Sequence, residues 1–311
     1  MILFGGDYEH TLEVPSVSHG LDLEYRIADR PELFAKVLQR QPFDACEFSL
    51  SNYIMMRDRG EDWLSAVPIF PARAFRHGIV LVRRDDPIAT VSDLASRRVG
   101  IPEYTMTAGV WCRGLLNDEY GLHWSQLRWH ANPLARFPPP SAVTVTALRG
   151  DVEDALANAE IDALILPSSR DQVLPESARR FRPLIKNWRE AEAGYFSRTG
   201  IFPISHVVVV ARKTIEANPA LPEALVAAYG HAMERAKHRR LGGTFLPWGN
   251  DNWGQTMELF QHDPLPYGLG ADNQAIIDKL QDYLLDQQLI SRRQAITDLF
   301  VDARENLASV S

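Results

Sequence analysis

The chain has 311 residues, 45% of them apolar, enough for one large or two medium domains with a full core. Its 33 basic and 40 acidic residues give a net charge of −7, which argues against a nucleic-acid role but leaves local basic clusters able to bind a small anion. The longest aliphatic run, 207–211, is too short to cross a bilayer. Residues 1–8 lack the basic start and apolar run of a secretory leader, so a cytoplasmic location is expected.

In chain order, 1–8 reads as a short strand ending in a Gly-Gly turn, and 21–27 alternates as a half-buried strand. Residues 31–39 open with Pro at a helix start, 43–47 read as a strand, 50–59 as a helix stopped by Gly60, and 64–70 as a strand ended by Pro71. Residues 79–82 do not alternate, as expected of a strand covered on both faces. A second unit then begins: a short helix at 91–94, strand 98–101, helix 105–120 closed by Gly121, and strand 127–130. The loop 132–141, with four prolines, follows, then helix 151–158 and strands 161–166 and 181–185. Residues 204–211 (ISHVVVVA) return as a long buried strand, and the remainder is helical at 214–239, 252–261, 273–285 and 292–301.

This alternation predicts an α/β fold with largely parallel sheets. The apolar strands at 75–82 and 204–211 bracket a self-contained unit, so two lobes are expected: 1–82 plus 206–311, and 83–205. A small ligand would then sit in an interlobe cleft, facing loops at the ends of strands.

Four polar segments fall at those ends. FPARAFRH (70–77) puts Arg73, Arg76 and His77 within five positions; a guanidinium fork matches a carboxylate, and a histidine carries a proton near neutral pH. The plain alternative is two surface arginines and a core histidine. Glu47 ends a strand as a candidate proton carrier or acceptor, and Ser49 and Ser51 would bind a carboxylate or cap the next helix. In GIPEYTMTA (100–108), Thr105 or Thr107 caps a helix whose free amides suit an anion, the plain alternative being a capped helix alone, and Glu103 and Tyr104 would line the cleft. His206 stands at the second crossover, either facing His77 or Arg76 across the hinge or buried as a structural residue. Trp248 in LPWG and Tyr267 in DPLPYG belong to rigid turns able to close one edge of a cleft.

Other chemistries lack their signatures. There is no G-x-S-x-G, P-loop, G-x-G-x-x-G or C-x-x-C. The nine histidines are scattered, so no metal site is signalled, although a set drawn from Glu47, His77 and His206 stays open. Cys46 and Cys112 each sit in apolar sequence and read as buried free thiols.

The segments EFSLSNY (47–53), FPARAFRH (70–77), VGIPEYTMTAGVWCRG (99–114), DEYG (118–121), GIFPISH (200–206) and LPWG (246–249) together resemble the 4,5-dihydroxyphthalate decarboxylase family, over nearly the whole chain. Phe48 stands where that family often has Met, and 131–141 departs from its pattern. The resemblance implies a type II periplasmic-binding-protein-like fold put to enzymatic use. It also implies loss of one carboxylate from a hydroxylated phthalate, giving protocatechuate and carbon dioxide. Under it, Arg73 or Arg76 with amides near Thr107 would clamp carboxylates, His77 or His206 would protonate the ring, and Glu47 would orient a histidine or accept from a phenol. No cofactor is expected, with an assisting divalent metal left open. The expected partner is a small aromatic dicarboxylate, with no nucleic acid or membrane; a homo-oligomer is compatible with this. The rival readings are a solute-binding protein of the same fold and a family decarboxylase acting on another aromatic acid.

Overall fold

The computed structural model describes residues 1–17, 21–133, 137–242 and 248–301. The chain forms two compact units, 1–73 with 204–277 and 294–311, and 74–203 with 278–293. The first boundary thus falls at Arg73, before the expected 82, and 278–293 joins the second unit instead of the first.

The first unit begins with β1 (Ile2–Gly5), β2 (Glu24–Ile27), α1 (Arg30–Leu38), β3 (Ala45–Ser49), α2 (Leu50–Asp58) and β4 (Leu64–Val67). The second contains β5 (Val80–Arg83), β6 (Arg98–Ile101), α3 (Thr107–Tyr120), β7 (Arg128–Ala131), β8 (Val145–Ala147), α4 (Val152–Ala157), β9 (Ala163–Ile165), β10 (Phe181–Pro183) and α5 (Trp188–Thr199). The chain then returns to the first unit through β11 (His206–Ala211), α6 (Arg212–Ala217), α7 (Leu221–Gly242) and α8 (Gly249–Phe260). Helix α9 (Ala271–Asp286) runs from the first unit into the second, and α10 (Ile296–Leu299) lies in the first. Among the described residues, no helix is long and apolar enough to cross a membrane.

The first sheet has the order β2-β1-β3-β11-β4; β1 pairs in parallel with β2 and β3, and β11 runs antiparallel to β3 and β4. Its core joins Leu3, Ala45, Val67, Val208 and Val210 to Leu225 and Tyr229 of α7. The second sheet, β10-β5-β9-β6-β7-β8, is parallel through β9, β6, β7 and β8, and antiparallel at β5 and β10. Helix α3 is the crossover between the parallel neighbours β6 and β7, and Gly121 closes it in the left-handed conformation, which glycine adopts without Cβ strain.

Several expected elements change on folding. The turn His77–Ile79 is a 3-10 helix, so β5 starts only at Val80, and the strand expected from Phe75 is shorter at its start. Strand β4 stops before Pro68, which has no N–H for a ladder. The expected helix 214–239 is two helices, because Pro219 follows Asn218 at the break. Only Ile296–Leu299 of 292–301 is helical. Strand β8 and helix α5 were not foreseen. The α5 sequence, WREAEAGYFSRT, carries charges on several faces and Gly194 at its centre, which hides its period. Both cysteines are free and buried, as expected.

Candidate active site

The first sheet builds a paired carboxylate and imidazole. In the antiparallel β3/β11 ladder Glu47 lies opposite Val208 and Ser49 opposite His206. Opposed residues share a face, and side chains alternate with period two. Glu47, Ser49 and His206 therefore project from the same face, with Glu47 and His206 as diagonal neighbours. His206 Nδ1 donates a hydrogen bond to Glu47 Oε1.

The carboxylate is fixed from its other sides as well. Gly6 N–H donates to Oε2 at 2.8 Å, and the Tyr8 hydroxyl donates to Oε1 at 2.7 Å. Glu47 is only 1% exposed. Burial alone would raise its pKa. The charge of a protonated His206 and the hydrogen bonds from His206, Tyr8 and Gly6 outweigh burial and hold it below the usual value. Burial, reinforced by the Glu47 charge, pushes the Tyr8 hydroxyl well above the ordinary phenol range, so Tyr8 stays a donor. Arg30 Nη1 donates to the same hydroxyl at 3.1 Å.

The Gly-Gly turn makes room for this network. A Cβ on Gly6 would stand 2.5 Å from the Tyr8 ring. Tyr25 donates to the Gly6 carbonyl at 2.8 Å and to Thr11 Oγ1 at 3.0 Å, which steadies the turn. His10 stacks on Tyr8 with centroids 5.3 Å apart and donates from Nε2 to the Pro71 carbonyl at 2.9 Å. Burial, against that hydrogen bond, lowers its pKa and keeps it neutral. The His206 ring packs edge-on against Phe34 with its side chain 16% exposed. With Nδ1 committed to Glu47, Nε2 is the nitrogen left to pass a proton.

Ser49, Ser51, Arg73 and Tyr267 each have packing or hydrogen-bond contacts within the first unit. Ser49 caps α2, accepting from Asn52 N–H at 3.4 Å, and lies 3.3 Å from the Ser51 hydroxyl. Arg73 Nη2 donates to the Pro266 carbonyl at 2.8 Å and to Asn273 Oδ1 at 2.7 Å, while its guanidinium covers Phe70. The arginine therefore ties down the DPLPYG segment. Tyr267 in that segment packs edge-on against Tyr229, and its buried hydroxyl has no hydrogen-bond partner among the described residues. Trp248 is 70% exposed at the start of α8; Leu246 and Pro247 of the LPWG motif lie outside the described residues.

In the second unit, Arg76 is buried, which lowers its pKa to about 10 and leaves it charged at neutral pH. His77 is 0% exposed, and neither ring nitrogen has a hydrogen-bond partner among the described residues. Burial, with the nearby charge of Arg198, lowers its pKa to about 4, so it is neutral at pH 7. Glu192 of α5, absent from the sequence reading, caps this turn: Oε1 accepts from His77 N–H at 3.1 Å and Gly78 N–H at 3.2 Å. Desolvation raises its pKa to about 7 despite those bonds and the Arg76 charge. Thr107 is the first residue of α3, but the cap position is Met106, which makes no side-chain capping bond. The Thr105 hydroxyl instead donates to Glu103 Oε1 at 3.3 Å. Tyr104 packs its ring against Trp129. Among the described residues, no three His, Cys, Asp or Glu side chains cluster in a way that would hold a metal ion.

Gly6, Tyr8, His10 and Tyr25 were missed as parts of the site. The available signal was the GGDY sequence at the end of β1, a turn with a tyrosine at its exit. What the pair can do is clear from its geometry: an imidazole oriented through one nitrogen delivers a proton from the other.

No protein-family model matches the sequence. Over 298 residues the chain is 33% identical to the 4,5-dihydroxyphthalate decarboxylase of Comamonas testosteroni, a match covering 90% of this chain and 89% of that protein. It is also 33% identical over 158 residues to the protein of the same name from Pseudomonas putida, covering 48% of this chain and 61% of that one. Among solved structures, the periplasmic aliphatic sulphonate binding protein SsuA from Escherichia coli matches with a TM-score of 0.62 at 15% identity, covering 97% of this chain and 92% of that one. The desulfurization enzyme DSZB matches with a TM-score of 0.55 at 18% identity, covering 97% and 96%. These structural matches establish the periplasmic-binding-protein-like fold, and the sequence match, sustained through both units, establishes more: the chain belongs to the 4,5-dihydroxyphthalate decarboxylase family.

Proposed function

We propose that the protein is a carbon–carbon lyase that converts 4,5-dihydroxyphthalate to protocatechuate and carbon dioxide, with His206 as the acid and Glu47 as the group that orients it. The names of its two relatives support the reaction. The observation that carries the residue assignment is the hydrogen bond from His206 Nδ1 to a carboxylate itself held by Gly6 and Tyr8.

The chemistry explains why an acid is needed. Direct loss of carbon dioxide would leave an aryl carbanion whose lone pair lies in the ring plane, outside the π system. Protonating the carboxylate-bearing carbon first avoids that species, and the hydroxyl para to that carbon shares the positive charge. His206 Nε2–H gives its proton to the ring carbon. The bond to the carboxylate then breaks, its electron pair restores the aromatic ring, and carbon dioxide leaves. Solvent returns a proton to His206, so the net change is one proton in and one carbon dioxide out. General-acid help of this kind supplies about 10²–10⁴-fold; positioning and charge stabilisation supply the rest.

Of the two candidate histidines, His206 suits the role and His77 does not, because His77 is enclosed and neutral at pH 7. The test is incubation with 4,5-dihydroxyphthalate in deuterium oxide. The expected result is carbon dioxide and protocatechuate carrying one deuterium at the vacated position. Tight binding without turnover would instead establish a solute-binding protein, and turnover of a different aromatic acid would move the substrate within the family.

A further inference from the structure

Arg113 of α3 is 0% exposed, yet most of its hydrogen-bonding capacity is unused. Nε donates to Gln287 Oε1 at 2.6 Å, and Gln287 in turn donates to the Val110 carbonyl at 3.0 Å. Nη1 and Nη2 have no hydrogen-bond partner among the described residues. Arg98, in the same unit, shows the contrasting arrangement: its Nε and Nη2 both engage the Asp162 carboxylate, at 3.1 and 2.7 Å. A buried guanidinium with two idle nitrogens is costly to maintain, and such groups are nearly always satisfied by protein, ordered water or a bound group.

The position of the idle edge gives the ligand's chemistry. The guanidinium carbon lies 4.2 Å from the Tyr104 ring centroid and 5.3 Å from that of Trp129. The two rings meet edge to face. Nη1 reaches back to the first turn of the 14-residue helix, 3.3 Å from where a Cβ on Gly109 would stand. The fork therefore lies beside a helix N-terminus, whose N–H groups and dipole favour negative charge. The Tyr104 hydroxyl, buried and also without a partner among the described residues, adds a donor. Two parallel guanidinium N–H groups match the two oxygens of a carboxylate.

We propose that Arg113, with the first turn of α3, forms a carboxylate-binding site for a small aromatic acid. The choice of an aromatic dicarboxylate as occupant rests on the decarboxylase reading; the site itself stands on the second unit alone.

Phthalate is the probe, titrated calorimetrically into the wild-type protein, Arg113→Lys and Arg113→Met. Lysine keeps the charge but not the fork, so its Kd is expected to rise about tenfold or more, with binding lost in the Met variant. Unchanged phthalate affinity in both folded variants, or no phthalate binding by the wild type, overturns the site. Should the variants fail to fold, a structure of the wild type with phthalate decides the matter. Carboxylate oxygens within hydrogen-bond distance of Nη1 and Nη2 support the site, and a carboxylate held elsewhere overturns it. The two readings fail separately. Phthalate held at Arg113 with no carbon dioxide from 4,5-dihydroxyphthalate overturns the reaction but not the site. Full turnover by the wild type with unchanged phthalate affinity in Arg113→Lys does the reverse.

Discussion

Replacing Glu192 by Gln should expose two buried titrations that mask each other in the wild-type protein. The folded Glu192 carboxyl titrates at about 7, against an ordinary value of 4.5, because α5 buries it over the 77–79 turn. A carboxyl raised in this way costs nothing below pH 4.5, and its penalty grows as pH rises through 7. His77 titrates at about 4 against an ordinary 6.5. Its neutral burial contributes stability above pH 6.5 that is lost as pH falls through 4. Each shift is about 2.5 pH units, so each is worth about 3 kcal/mol, with opposite signs over nearly the same window. Gln keeps an oxygen for the His77 and Gly78 amides but cannot ionise. The difference in unfolding free energy, Glu192→Gln minus wild type, should therefore increase by about 3 kcal/mol between pH 4.5 and pH 7. His77→Phe minus wild type should increase by a similar amount as pH falls from 6.5 to 4. Urea unfolding followed by tryptophan fluorescence at several pH values measures both differences, and subtraction removes every other titrating group. A Glu192→Gln difference that stays flat across this range would refute the assignment of a desolvated carboxyl at this turn.

His206→Gln should lower kcat by about 10²–10⁴-fold with the circular dichroism unchanged, as steady-state kinetics on 4,5-dihydroxyphthalate would check. Glu47→Gln keeps a hydrogen-bond acceptor but not the charge, and should lower kcat by about 10²-fold with KM little altered. Gly6→Ala places a methyl 2.5 Å from the Tyr8 ring; thermal unfolding should show a loss of about 1–3 kcal/mol, accompanied by lower kcat as Tyr8 leaves Glu47. Arg73→Met removes two hydrogen bonds to the 266–273 segment. Urea unfolding should register a loss of about 2 kcal/mol or more, with KM little changed, because Nη2 serves the fold.

Much of the architecture could be read from local pattern. The β6–α3–β7 unit, with Gly121 at the helix end, follows from a short apolar strand, a long helical period and a left-handed stop. The capping role of Ser49 follows from its place between a strand and a helix. The failures share one cause. His77 begins a 3-10 turn, not a strand, because Glu192, far along the chain, gathers the amides of His77 and Gly78. The partners of Arg73, Pro266 and Asn273, are likewise distant in sequence.

Residue types and their local order pointed by themselves to a two-unit α/β protein, since periodicity and turn chemistry act over a few residues, and the resemblance of its motifs pointed to the family. They also supplied Glu47 and His206 as candidates. Only the tertiary structure decided that these two, 159 residues apart, form a pair. The physical reason is strand register: the β3/β11 ladder sets Glu47 against Val208 and His206 against Ser49, and a slip of one residue would turn one of the pair to the opposite face.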